Sequence, residues 1–169
     1  VNIFRHRPRT FVGPPALALL IAATGCSSAD DTATAVVPSP DAKVTELCRN
    51  LDKVLPKKVD GLDRQDPEPV SALTAGWGSP AIILRCGVGQ PAKMVDPKVA
   101  DGNDPDAIGG GVNGVGWLME KLDDGSQRFT TSLRLAYVEV TVPAGVDSAG
   151  VLVDLAAPIK KAIPKGIAS

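Results

Sequence analysis

Apolar residues recur along this chain with two different periods. From Asp41 to Leu55, the residues Val44, Leu47, Cys48, Leu51 and Leu55 are spaced by three, one, three and four, which traces a single stripe along a helix. Pro56 ends that helix, and Pro67 and Pro69 with their charged neighbours mark a loop. Ala81 to Cys86 is a short apolar run with β-branched residues, closed by Gly87 and Gly89, and predicts a buried strand. Residues 91–112 are rich in proline, glycine, aspartate and asparagine and predict a long loop. Val115 to Leu122 and Gln127 to Leu133 read as a hairpin around Asp123-Asp124-Gly125-Ser126, with Gly125 taking the positive φ of its turn.

The strand from Tyr137 to Val142 sets Val138, Val140 and Val142 on one face. Leu133 and Leu135 have the opposite parity, so a bulge or tight bend between Leu135 and Tyr137 is expected to keep both sets inside. Val146 to Ile163 closes the pattern: Val151, Leu152, Leu155 and Ile159 fit a helix that Pro158 is expected to kink and Pro164 to end. No internal repeat is visible. The order helix, strand, hairpin, strand, helix predicts an α+β domain, an antiparallel sheet of about four strands packed against two helices. The other sheet face is left to meet solvent or a partner.

The first 40 residues follow neither period. Arg5, Arg7 and Arg9 precede an uncharged, mostly apolar run of about 13 residues from Phe11 to Ala23, and Ala23-Thr24-Gly25-Cys26 places small residues before a cysteine. This predicts a lipoprotein signal peptide over residues 1–25, with Cys26 as the lipidated residue of an exported protein held at the outer face of the cell membrane. The run is shorter than the roughly 20 residues a helix needs to span a bilayer, and Pro14 and Pro15 interrupt it. Ser27 to Pro40 has almost no bulky residue and predicts a flexible tether over 26–40, with a reach of roughly 20 Å. Residues 41–169 are then a single domain.

Removal of the signal takes away three of the 18 basic residues and none of the 19 acidic ones, leaving 15 against 19 and a net charge of −4. Only short basic pairs such as Lys57-Lys58 and Lys160-Lys161 remain, so nucleic acid is not an expected partner. Cys48 and Cys86 are the two thiols left beside Cys26, and in an oxidising compartment they are expected to form a disulfide. They lie 38 positions apart with no CxxC pair, and His6, the one histidine, goes with the signal. Neither a metal site nor a catalytic thiol with its base is expected, and no cofactor is predicted.

Several stretches bear on chemistry. Gly109 to Gly116 is glycine-rich but lacks the Lys-Ser/Thr of a phosphate loop and leads into a strand. Asp101 to Asp106 concentrates oxygen donors as the first half of a calcium loop does, yet Val112 stands where the closing glutamate belongs. Glu46, Glu68, Glu120 and Glu139 leave a carboxylate mechanism open without selecting a pair. Ser71, Ser79 and Ser132 have no histidine to activate them and no GxSxG context.

The segment from Trp77-Gly78-Ser79-Pro80-Ala81 through Ile82-Ile83-Leu84-Arg85-Cys86-Gly87, taken with Cys48, Val112-Asn113-Gly114-Val115-x-Trp117 and Arg134-x-x-Tyr137-Val138-Glu139-Val140, resembles a family of small secreted actinobacterial proteins. That family is a domain of unknown function, numbered thirty-five-fifteen, and the resemblance runs over roughly residues 44–160. It implies an exported, often lipid-anchored protein and brings no catalytic residues.

Arg85 sits inside an apolar strand, so it must either reach solvent or meet a carboxylate, with Glu139 or Glu120 as partner. One reading makes it half of an ion pair, with the tryptophans filling the core. The other has Trp77, Arg85, Asn113 and Trp117 lining a shallow site for an anionic or carbohydrate-like envelope component. The sequence thus favours a non-catalytic binding or assembly module, tethered to the membrane by its lipid and engaging an unknown envelope protein or ligand. The alternative is an envelope-polymer hydrolase working through carboxylates.

Overall fold

The computed structural model describes residues 32–168. Helix α1 (Ala42–Asp52) begins where Asp41 accepts a hydrogen bond from the Val44 N–H at 2.9 Å, and it buries Val44, Cys48 and Leu51. It ends three residues before Leu55, which follows in a turn and packs at the edge of the core.

The sheet is larger than expected. Strands β1 (Lys58–Val59) and β2 (Leu62–Asp63) form a small hairpin around Asp60 and Gly61, both at positive φ. The main sheet holds β3 (Thr74–Trp77), β4 (Ile82–Cys86), β5 (Ala107–Val112), β6 (Val115–Lys121), β7 (Gln127–Ser132) and β8 (Val138–Val142), in the order β3-β4-β8-β7-β6-β5 and antiparallel throughout. The expected four strands are therefore six, with a separate two-stranded hairpin. Besides α1 and α3 (Ser148–Ala162), a short helix α2 (Pro97–Ala100) and a 3-10 turn (Ala92–Val95) are present.

Residues 91–112, expected to be one loop, thus contain a 3-10 turn, α2 and the edge strand β5. The glycines 109–111 weaken β5 as a sequence signal. Its register is set by the two-residue turn Asn113-Gly114, with φ of 49° and 80°, which pairs Val112 with Val115.

One sheet face carries Ile82, Leu84, Cys86, Val115, Trp117, Phe129, Val138, Val140 and Val142 onto α1 and α3, and this is the core. The Cys48–Cys86 disulfide ties α1 to β4 across that layer, with Cα atoms 5.5 Å apart. The opposite face, expected to lie open, is mostly covered: Thr74, Ala107, Leu118, Glu120, Thr130 and Glu139 are all buried. Residues 32–40, expected to be tether, run against the domain. Glu68 donates its N–H to the Ala33 carbonyl and accepts from the Ala35 N–H, and Arg85 reaches the Val36 carbonyl at 3.4 Å.

The parity conflict near residue 135 is resolved differently from the expectation. The chain turns at Leu133, at a φ of 53°, and leaves that side chain exposed while Arg134 is buried. No helix among the described residues is long and apolar enough to cross a membrane.

Candidate functional site

The polar face of the sheet is built by strand alternation. Because Ile82, Leu84 and Cys86 point to the helices, Arg85 must point the other way. The β4–β8 register sets it opposite Glu139, and Arg85 Nε donates to Glu139 Oε1 at 2.8 Å. Glu139 pairs across β7 with Thr130, and two residues along β7 on the same face stands Arg128. Arg128 is opposite Glu120 on β6 and grips both carboxylate oxygens, Nε to Oε2 at 3.1 Å and Nη2 to Oε1 at 3.0 Å.

A row of alternating charge therefore crosses the sheet: Arg85, Glu139, Arg128, Glu120. From the layer above, Lys93 of the 3-10 turn closes on the row with its ammonium hydrogen-bonded to Asp104. The four charges of the row and Lys93 line a recess of about 300 Å³ with Val88, Gly89, Pro91 and Ala92, and Asp104 stands behind Lys93 outside that lining. The hydrogen bonds from Arg128 to Glu120 raise the pKa of that guanidinium, with the charge of Glu139 adding to the effect. The ammonium of Lys93 and the backbone N–H of Asp106 hold the Asp104 carboxyl below its ordinary range.

Each carboxylate in or over the recess already receives a cationic donor. A carboxylate hydrolase needs one acid that keeps a proton and one carboxylate free to act as nucleophile or base. Glu120 has both oxygens occupied by Arg128 and Glu139 gives Oε1 to Arg85, so the recess does not present two unengaged carboxylates. The arrangement offers guanidinium edges and an ammonium to a ligand that brings its own hydrogen-bond acceptors.

The four residues singled out from the sequence are not brought together. Trp77 on β3 is fully buried on the helix side, donating Nε1–H to the Pro56 carbonyl at 3.0 Å beneath the Arg64 guanidinium. Trp117 on β6 is buried on the same side, edge-on to Phe129. Asn113 is exposed at the β5–β6 turn. Only Arg85 lines the recess, so the shallow four-residue site does not exist in this form. Of the two carboxylates weighed as its partner, Glu139 takes the role; Glu120 belongs to Arg128, which sequence reasoning missed. The register imposed by the Asp123 to Ser126 turn was the signal that could have found that pair.

Cys26, the expected lipidation site, and the signal over residues 1–25 lie outside the described residues. Cys48 and Cys86 are paired as expected. No group of three or more His, Cys, Asp or Glu side chains comes together in a metal-holding arrangement among the described residues.

A family model described as "Protein of unknown function (DUF3515)" matches residues 12–168. The chain belongs to that family. The match includes the whole sheet and both long helices, so the charged recess and the disulfide lie inside the shared domain. No curated protein and no solved structure matches the chain.

Proposed function

We propose that this DUF3515 protein is an exported, lipid-anchored module of an actinobacterial cell envelope that binds a ligand or partner at the outer face of the cell membrane without a catalytic step. The observation that carries the reading is the recess over β4, β8, β7 and β6, where the two lining carboxylates, Glu120 and Glu139, are each engaged by a guanidinium. Such a surface recognises hydrogen-bond acceptors through its guanidinium edges and the Lys93 ammonium. The anchoring half of the reading rests on the basic start, the apolar run and Ala23-Thr24-Gly25-Cys26. The disulfide fits an oxidising compartment.

The test has two parts. In the source cell, Cys26→Ala is expected to remove lipid labelling and detergent partitioning; retention of both refutes the anchor. A pull-down of the tethered protein from its own membranes is expected to recover a partner or ligand that Lys93→Glu releases. Cleavage of purified envelope polymer by the protein, lost in Glu139→Gln, would replace the binding reading with the hydrolase.

A further inference from the structure

A second recess, of about 320 Å³, lies at the end of the sheet where β6 starts and β7 stops, and its charge is unlike that of the first. Arg134 forms part of its wall and is only 4% exposed. Its Nη1 donates to the Ile163 carbonyl at 2.8 Å and its Nη2 to the Gly114 carbonyl at 3.0 Å. Arg64, Arg85 and Arg128 each ion-pair with a carboxylate; Arg134 has none within 4 Å among the described residues. Burial alone acts on its pKa, and lowers it. The carbonyls at the C-terminal end of α3 offset the cation only in part.

More positive charge gathers at the same point. Lys165 is the bridge partner of Arg134 and lines the recess. Lys160, in the last turn of α3, brings its Nζ within 3.9 Å of where a side chain on Gly114 would begin. Neither lysine ion-pairs among the described residues. The mouth is also apolar, because Leu133 and Ile167 line it while 72% and 81% exposed. Leu133 is held outward at a φ of 53°, a conformation a leucine rarely adopts.

We propose that this recess binds the phosphate headgroup of an anionic amphiphile, with Arg134, Lys160 and Lys165 around the phosphate and Leu133 and Ile167 against the first methylenes of its acyl chain. Two of the five guanidinium N–H donors of Arg134 go to carbonyls, which leaves three to be shared with a ligand. A buried cation with no carboxylate partner among the described residues supplies the demand for an anion, and the exposed aliphatic pair distinguishes an amphiphile from a free oxyanion. The site lies apart from the recess around Arg85 and does not depend on what that recess binds.

The full chain is titrated with dihexanoylphosphatidylglycerol below its micelle-forming concentration, with dihexanoylphosphatidylcholine, and with inorganic phosphate, by calorimetry and thermal shift. The anionic lipid is expected to bind and raise the melting temperature, inorganic phosphate to bind more weakly, and the choline lipid to do neither. Each exposed lysine near an anionic headgroup contributes about a fivefold change in affinity, so Lys160→Gln with Lys165→Gln is expected to weaken binding about 25-fold with the fold intact. Leu133→Asp is expected to remove the preference for the lipid over inorganic phosphate. Equal affinity for both, unchanged by Leu133→Asp, shows a plain phosphate site and overturns the amphiphile. Binding that survives the double lysine change, or no binding of either anion, overturns the site.

Discussion

Replacing Arg85 with alanine strands a carboxylate. The Glu139 side chain is 10% exposed and the Arg85 side chain 28%, so the pair stands between two limits. A solvent-exposed pair is worth about 0.2–1 kcal/mol, whereas removing one partner of a buried pair costs about 3–5 kcal/mol. Arg128 also faces Glu139 and relieves part of the loss. The expected destabilisation is therefore about 2 kcal/mol, below the fully buried figure. With an unfolding entropy near 2.1 cal/mol/K per residue and roughly 137 described residues, that is a fall in melting temperature of about 7 °C.

The assay is a double-mutant cycle by calorimetry, using Arg85→Ala, Glu139→Gln and the two together. Glu139→Gln leaves a guanidinium that solvent already reaches, so it is expected to cost less than Arg85→Ala. The double variant is expected to be more stable than the sum of the single effects predicts, by about 1–2 kcal/mol. An Arg85→Ala protein that melts within about 1 °C of wild type, or single effects that add within about 0.5 kcal/mol, refutes the ion-pair account. Loss of a membrane partner with unchanged melting would instead make Arg85 a contact residue of the recess.

Alkylation of the native protein is expected to find neither Cys48 nor Cys86 free, and reduction to destabilise the domain by about 4 kcal/mol through the loop of 38 residues it reopens; modification of both thiols without reductant refutes this. The two tryptophans are expected to respond differently to phenylalanine, because Trp77 Nε1 is matched by the Pro56 carbonyl while Trp117 Nε1 is buried with no partner among the described residues. Trp77→Phe should cost about 1–3 kcal/mol by urea titration and Trp117→Phe less, since it also removes an unpaired donor; equal losses would show that indole volume alone matters. Asp104 is held below its ordinary range by Lys93, so the stability it contributes is present above the unfolded aspartate value and is lost as pH falls through its lower folded value. Protection factors for amide exchange in residues 92–106, with the intrinsic pH dependence of exchange divided out, are expected to fall on acidification, and Lys93→Met to move that onset to higher pH; a profile the variant leaves unchanged refutes the assignment.

The elements legible in the sequence are those whose period is long enough to count. α1 and α3 show a helical stripe, β8 alternates valines, and the β6–β7 hairpin is announced by Asp-Asp-Gly-Ser. β1 and β2 have two residues each, too few to show a period, although Asp60-Gly61 between them is a turn signal. β3 reads Thr-Ala-Gly-Trp with all four residues buried, so it has no alternation to find, and β5 hides behind three glycines. That Arg85 meets solvent or a carboxylate was legible because an arginine in an apolar run must be answered, while the choice of Glu139 over Glu120 was left open. Arg128–Glu120 was missed because it follows only when the pairing is counted outward from the Asp123 to Ser126 turn, since neither residue sits in an apolar run that calls for a partner.

Arg134 shows why local pattern fails where it does. Leu133-Arg134-Leu135 reads as two leucines in and one arginine out, and parity with Val138, Val140 and Val142 contradicts that reading. A bulge after Leu135 would have kept the leucines inside. The chain instead places Leu133 at positive φ in solvent and buries the arginine against the end of α3. Both choices run against the hydrophobic preference of the residues involved, and the C-terminal segment holds them there through Leu135 N–H to the Pro164 carbonyl and Gly166 N–H to the Leu133 carbonyl. Conflicts between local preference and the global fold gather at strained or functional positions. At this end of the sheet an outward leucine, a buried arginine and Lys165 line one recess with Lys160 beside its Gly114 edge, and none of the three cations has a carboxylate partner among the described residues. The hydrogen bonds of Arg134 to the Ile163 and Gly114 carbonyls tie the end of α3 to the β5–β6 turn but bring no negative charge, and an anionic amphiphile would supply that charge while covering the outward leucine.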